Sequence, residues 1–204
     1  IDEDKLKLFK ENKVNRLSFG VESFSKDILN ILGRKHSKEM IFDKINLSKK
    51  YFNNINIDLI YGANNNIDIV KKDIEYFLTL DIEHISCYSL ILEEHTKLYL
   101  DNHKYIDQDI DKLMFESIHN TLVKHGYNHY EISNYARPGY ESIHNKNYWL
   151  NGSYYGFGLS AVSYLNNIRI SNTKNMNKYL NQSYISNKDY EDIKTRKEND
   201  KRQI

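Results

Sequence analysis

The sequence predicts an α/β fold in which parallel βα units curl into a closed or partly closed barrel, followed by a smaller α+β extension. Short runs of alternating apolar and polar residues recur along the first part of the chain, and stretches with helical spacing separate them. After Gly126 that rhythm gives way to an aromatic, glycine-containing stretch. Strands divided by helices favour parallel pairing through right-handed crossovers.

Lys5 to Asn12 reads as the end of a surface helix. Asn15 to Glu22 then alternates, with Leu17, Phe19 and Val21 on one face and Arg16, Ser18, Gly20 and Glu22 on the other, which predicts a strand with one greasy and one small, polar face. A short helix through Ile28, Leu29 and Leu32 ends near Gly33, and Ser37 is placed to cap a second helix carrying Ile41, Phe42, Ile45 and Tyr51. Ile55 to Tyr61 alternates again and stops at Gly62; helical spacing resumes at Val70, Ile74, Phe77 and Leu78. His84 to Leu92 is the third strand-like run, and Ile110, Leu113, Met114, Ile118 and Leu122 mark an amphipathic helix closed by Gly126.

Beyond it, Tyr127 to Tyr135 is strand-like, His144 to Leu150 helical, and Tyr154 to Ile170 suits a hairpin turning at Asn166-Asn167. Lys188 to Ile204 is charged and helix-compatible, and the chain reads as cut at both ends. The expected division is 1–126 for the barrel, 127–183 for the extension and 184–204 for the start of a helical region.

Composition narrows the function classes. The 204 residues are 40% hydrophobic and 28% charged with a formal net charge of +1, so no broad field for nucleic acid or membrane arises. No apolar run approaches the roughly 20 residues of a membrane helix, and the expected location is the cytoplasm. A single cysteine, Cys87, excludes an internal disulfide and any site in this chain built from several thiolates.

In a parallel barrel one parity of each strand faces inward, so Ser18, Gly20, Glu22 and Asp58 could line a shared lumen, where ligands sit at the carboxyl ends of the strands. Asp58 offers two acceptor oxygens to a ribose or an ammonium group; the alternative is a solvated strand-end carboxylate that caps the next element. Arg34 could clamp a carboxylate through its planar fork, or be a surface charge on a helix end. Glu22 is either a lumen-facing hydrogen-bonder or a loop residue. His144, beside Tyr148 and Trp149, is either a structural imidazole or the axial ligand of an iron porphyrin in an aromatic pocket. The other histidines show no metal-ligand spacing. Gly156-Phe-Gly158-Leu-Ser160-Ala161 would let backbone approach a ligand closely, but it lacks the third glycine and acidic partner of a dinucleotide fingerprint.

Six ordered segments carry a resemblance: Arg16-Leu-Ser-Phe-Gly-Val-Glu-Ser-Phe24, Leu32-Gly-Arg-Lys-His36, Ile57-Asp-Leu-Ile-Tyr-Gly62, His84-Ile-Ser-Cys-Tyr-Ser-Leu90, Tyr130-Glu-Ile-Ser-Asn-Tyr-Ala136 and His144-Asn-Lys-Asn-Tyr-Trp149. Together they resemble the HemW family of radical S-adenosylmethionine (SAM) proteins, haem chaperones similar to oxygen-independent coproporphyrinogen III oxidase. The His144 to Trp149 segment looks like the feature that marks the chaperone branch. The resemblance implies a partial TIM-like radical SAM barrel that binds SAM and a [4Fe-4S] cluster, with haem bound elsewhere and passed to acceptor haemoproteins. It leaves room for transient contact with membrane proteins and for a homodimer.

By position, Glu22, Arg34 and Asp58 match the family's SAM contacts, Ile91 and Val162 fall where backbone or apolar contacts to SAM are expected, and His144, with Tyr148 and Trp149, matches the haem site. The resemblance also places a CxxxCxxC loop upstream of Ile1, so an internal piece without the three cluster thiolates is expected. Glu22 stands where the related oxidases usually have Gln. Gly62-Ala63-Asn64 replaces the family's Gly-Leu-Pro, which predicts a looser turn. An oxidase that cleaves SAM to a radical, and an inactive remnant, are the two alternative readings.

Overall fold

The helices of the first half, the short one after Ser25 excepted, begin where a side chain accepts an otherwise unpaired N–H of the first turn. The computed structural model describes residues 1–181; the expected helix from Lys188 and the division at 183/184 lie outside the described residues. Asp2 caps α1 (Glu3–Glu11), and the chain then enters β1 (Leu17–Glu22) and the short α2 (Lys26–Ile31). Ser37 accepts the Met40 N–H at the start of α3 (Lys38–Lys49), as the sequence predicts. β2 (Ile55–Tyr61) leads to α4 (Ile67–Leu80), capped by Asn66, and then to β3 (His84–Ser89). A single turn, α5 (Lys97–Leu100), precedes α6 (Gln108–Lys124), which is followed by β4 (Asn128–Glu131) and β5 (Asn134–Ala136).

These strands form one open sheet in the order β1-β2-β3-β5-β4. The first three are parallel, as expected for βα units, whereas β5 runs antiparallel to β3 and pairs with β4 as a hairpin. The hairpin carries the first compact unit to Glu141, past the division expected at 126, because the backbone of β5 completes the hydrogen bonding of β3. One face of the sheet is the core. Leu17, Val21, Ile55, Ile57, Leu59, Ile85 and Cys87 are buried there with Ile45 of α3, Ile74 and Phe77 of α4, and Met114 and Ile118 of α6. This is the apolar parity of each strand, so the opposite parity is left to form a polar face.

The turn after β2 is tied down rather than loose. Gly62 and Ala63 are buried, His103 bonds the Ala63 carbonyl at 2.9 Å, and Asn64 and Asn66 each accept a backbone N–H two residues on. Those side-chain bonds supply the stiffness that a proline ring would otherwise provide.

The second compact unit, from Ser142 onward, contains α7 (Ile143–Trp149), a hairpin of β6 (Val162–Leu165) and β7 (Ile168–Ser171), and α8 (Met176–Leu180). The hairpin turns at Asn166-Asn167, both at positive φ (50° and 65°), the pair of left-handed residues that a tight two-residue turn requires. Gly156 lies against the backbone of Val162, where a Cβ would come within 2.4 Å of the Val162 carbonyl oxygen. The close approach expected of this small-residue run is thus to the unit's own hairpin.

Candidate functional site

The register of the sheet lays the polar parity out in two rows. Ser18, Asn56 and His84 lie side by side, and Gly20, Asp58, Ser86 and Asn134 form the next row toward the carboxyl ends of the parallel strands. Asp58 is therefore in mid-strand, and it is Asn66 that caps the following helix. Its carboxylate accepts from Ser18 Oγ at 3.2 Å and from Asn56 Nδ2 at 2.8 Å.

Glu22 ends β1 at a bulge, buried and with φ at 63°. A non-glycine residue there costs about 1 kcal/mol or more, so neighbours must hold it. Ser23 N–H closes a tight turn onto the Val21 carbonyl at 2.8 Å, while Asp73 of α4 accepts from Ser23 Oγ at 2.6 Å and from Phe24 N–H at 2.9 Å. The turn folds the Glu22 carboxylate back over Gly20, where an added Cβ would lie 3.0 Å from Glu22 Oε1. Gly20 is the register neighbour of Asp58, so the two carboxylates share one corner of the face.

Arg34 closes that corner, with Nη2 2.5 Å from Glu22 Oε1 and half of its side chain still exposed. Burial raises the Glu22 pKa above the ordinary carboxylate value; Arg34 works against this and the charge of Asp58 adds to it. Glu22, Arg34 and Asp58 are thus brought together. Ile91 lies beyond β3 and is 73% exposed.

Deeper on the same face, His84 is fully buried between Asn56 (Nδ1 to Oδ1, 2.6 Å) and the Tyr130 hydroxyl (Nε2 to Oη, 2.7 Å). Burial, with the nearby Arg16 cation, depresses the His84 pKa to about 3. Ser86 donates to Asn134 Oδ1 at 2.6 Å. Sequence reasoning named the lumen parity at Ser18, Gly20, Glu22 and Asp58 but missed Asn56, His84, Ser86, Tyr130 and Asp73. The first three were reachable by extending that parity along β2 and β3. Tyr130 and Asp73 carried no such signal, since the antiparallel edge strand β4 and the helix α4 deliver them.

In the second unit, His144 and Tyr148 are one helical turn apart on α7, with ring centroids 4.7 Å apart and planes at 82°. Tyr148 packs on Tyr154 at 4.3 Å, and Tyr154 on Tyr164. Trp149, 38% exposed, follows Tyr148 and is rotated about 100° around the helix from it. Val162 opens β6 with its backbone against Gly156.

Residues 1–76 match the sequence model of the Radical SAM superfamily. The heme chaperone HemW of Lactococcus lactis is 36% identical over 203 residues, 97% of this chain and 54% of that protein; HemW of Bacillus subtilis is 35% identical, covering 87% of this chain and 48% of its own length. The chain is similar to HemW proteins and, over its first 76 residues, to the radical SAM superfamily. The HemW-like chain spans about half the length of the curated relatives it matches. In fold it resembles the Escherichia coli coproporphyrinogen III oxidase HemN, described as a radical SAM enzyme, with a TM-score of 0.75 over 89% of this chain and 46% of that one, at 21% identity.

The superfamily implies SAM and a [4Fe-4S] cluster, and the residues of this HemW-like chain fit the two differently. The corner of Glu22, Arg34 and Asp58 offers anionic and cationic groups on an open polar face, which suits a zwitterionic ligand with a ribose. The cluster finds no such fit among the described residues. Cys87 is the chain's one cysteine, it is buried with its thiol pKa pushed upward by burial, and no three candidate ligands gather. No helix among the described residues is long and apolar enough to cross a membrane.

Proposed function

We propose that the protein is a haem chaperone that binds haem and transfers it to acceptor haemoproteins, with SAM held on the polar face of the first unit. The observation that carries the reading is the shared corner of Glu22, Arg34 and Asp58 at the carboxyl side of β1 and β2, in a chain 36% identical to a HemW. In this reading Asp58 accepts the ribose hydroxyls or the ammonium, Glu22 pairs with the ammonium, and the exposed part of Arg34 meets the SAM carboxylate. Ile91 is assigned an apolar or backbone contact to SAM. Bound SAM supplies a sulfonium that can be cleaved reductively, and the chain's own groups orient it.

The second unit supports the haem part of the reading. His144 presents an exposed imidazole against Tyr148, a donor for haem iron, and Ile143, Leu150 and Phe157 on the same unit are each more than three-quarters exposed, as an apolar macrocycle requires. Trp149 belongs to the same motif.

Calorimetric titration of SAM into the protein and its Asp58→Ala variant tests the first part, with at least a tenfold loss of affinity expected; equal affinity removes Asp58 from the site. Spectrophotometric haem titration of the His144→Ala variant tests the second, with loss of the haem Soret shift expected. Turnover of coproporphyrinogen at catalytic rates under anaerobic conditions would replace the chaperone reading with an oxidase.

A further inference from the structure

Asp58 ends a hydrogen-bond chain in which each donor and acceptor is dictated by the one before. A carboxylate can only accept, so Asn56 must turn its NH2 toward Asp58 Oδ1, 2.8 Å away. The same NH2 donates to Ser18 Oγ at 2.7 Å, leaving the Ser18 hydroxyl proton for Asp58 Oδ2. Asn56 Oδ1 therefore points at His84 Nδ1, 2.6 Å away, and that nitrogen must carry the proton. In a neutral imidazole Nε2 is then an acceptor, and the Tyr130 hydroxyl 2.7 Å from it is the donor. Three hydrogen bonds lead from Tyr130 of β4 to the proposed SAM contact.

We propose that His84 and Tyr130 are positioning residues for SAM binding, holding Asn56 in the one amide orientation that aims Asp58 at the ligand. The inference rests on the reading of Asp58 as a SAM contact. Asn56 and His84 are both buried, so water does not stand in for a lost link. Without the His84 donor, Asn56 Oδ1 loses its short partner and keeps only the long 3.3 Å approach of Ser86 Oγ. The NH2 side stays drawn to Asp58, but the amide is held from that side alone, so it swings and the carboxylate shifts from its aim at the ligand.

The test compares SAM affinity in the protein and in His84→Leu, His84→Asn, Tyr130→Phe, Asp58→Ala and the double variant Asp58→Ala/His84→Leu. An asparagine amide at 84 places a donor near the position of Nδ1, so His84→Asn should stay within threefold of the unmodified protein. His84→Leu should weaken binding tenfold or more and Tyr130→Phe several-fold. In the Asp58→Ala background the His84→Leu change should cost nothing further, because its route to the ligand has been removed. A merely structural role predicts the opposite, equal losses in both backgrounds, and that result overturns the proposal, as does His84→Asn binding as poorly as His84→Leu. If His84→Leu does not fold, Tyr130→Phe alone and in the Asp58→Ala background decides by the same comparison. Unchanged affinity in Asp58→Ala would instead sink the SAM site itself, a failure distinguishable from that of the relay.

Discussion

At the scale of single residues, what matters is which groups have been made expensive to move. Asp73 holds the Ser23-Phe24 backbone through two hydrogen bonds, and so keeps Glu22 in its left-handed conformation. Asp73→Ala should destabilise the protein by about 2–3 kcal/mol in denaturant titration, the scale of losing bonds to a buried carboxylate, and should weaken SAM binding through the released Glu22 turn. Gly156 is constrained differently, by the Val162 backbone alone. A methyl group there cannot be accommodated by side-chain rotation, and Gly156→Ala should cost about 1–3 kcal/mol in the same measurement. The role of Gly156 was not legible in the sequence, since a glycine beside aromatic residues serves a ligand or a neighbouring strand equally well. The place of Asp58 on the polar parity was legible, because alternation alone separates it from Ile57 and Leu59.

At the scale of elements, local sequence signals did most of the work. The capping serine of α3, the alternating run of β2 and the Asn166-Asn167 turn each depend on residues within a few positions of one another, and each was readable as such. Asn167→Val places a β-branched side chain at φ 65° and should destabilise the β6–β7 hairpin by about 1–2 kcal/mol, measurable as a lower denaturation midpoint. The direction of β5 was not readable. Nothing within Tyr127 to Tyr135 states that the chain doubles back at Ile132 and Ser133 to pair antiparallel with β3. That choice is made by the unpaired edge of β3, a long-range partner.

For the whole molecule, two buried titratable groups pull stability in opposite directions with pH. His84 has a folded pKa of about 3 against an ordinary 6.5, so its contribution is complete above pH 6.5 and is lost as pH falls, at about 1.4 kcal/mol per unit. Asp73 is raised by burial from 3.8 to about 6, so its contribution is greatest below pH 4 and is lost as pH rises through 6. Between about pH 4 and 6 the two slopes offset one another. The Asp73→Asn variant should therefore show steeper loss of stability on acidification across that window than the unmodified protein, and His84→Asn a shallower one, in urea titrations at pH 7, 6, 5 and 4. Parallel pH profiles for all three proteins would remove both groups from the account.

Taken by itself, the sequence determined the alternation of strands and helices through β3, the parity of β1 and β2 that faces the core, and the likeness to HemW, because periodicity and short motifs are local properties of the chain. Only the tertiary structure decided that Arg34 reaches Glu22 across the end of β1, that the β4–β5 hairpin belongs to the sheet, and that His84 and Tyr130 stand behind Asp58. Those contacts join residues 12 to 50 or more positions apart, and strand register, which no local pattern encodes, sets which of them meet.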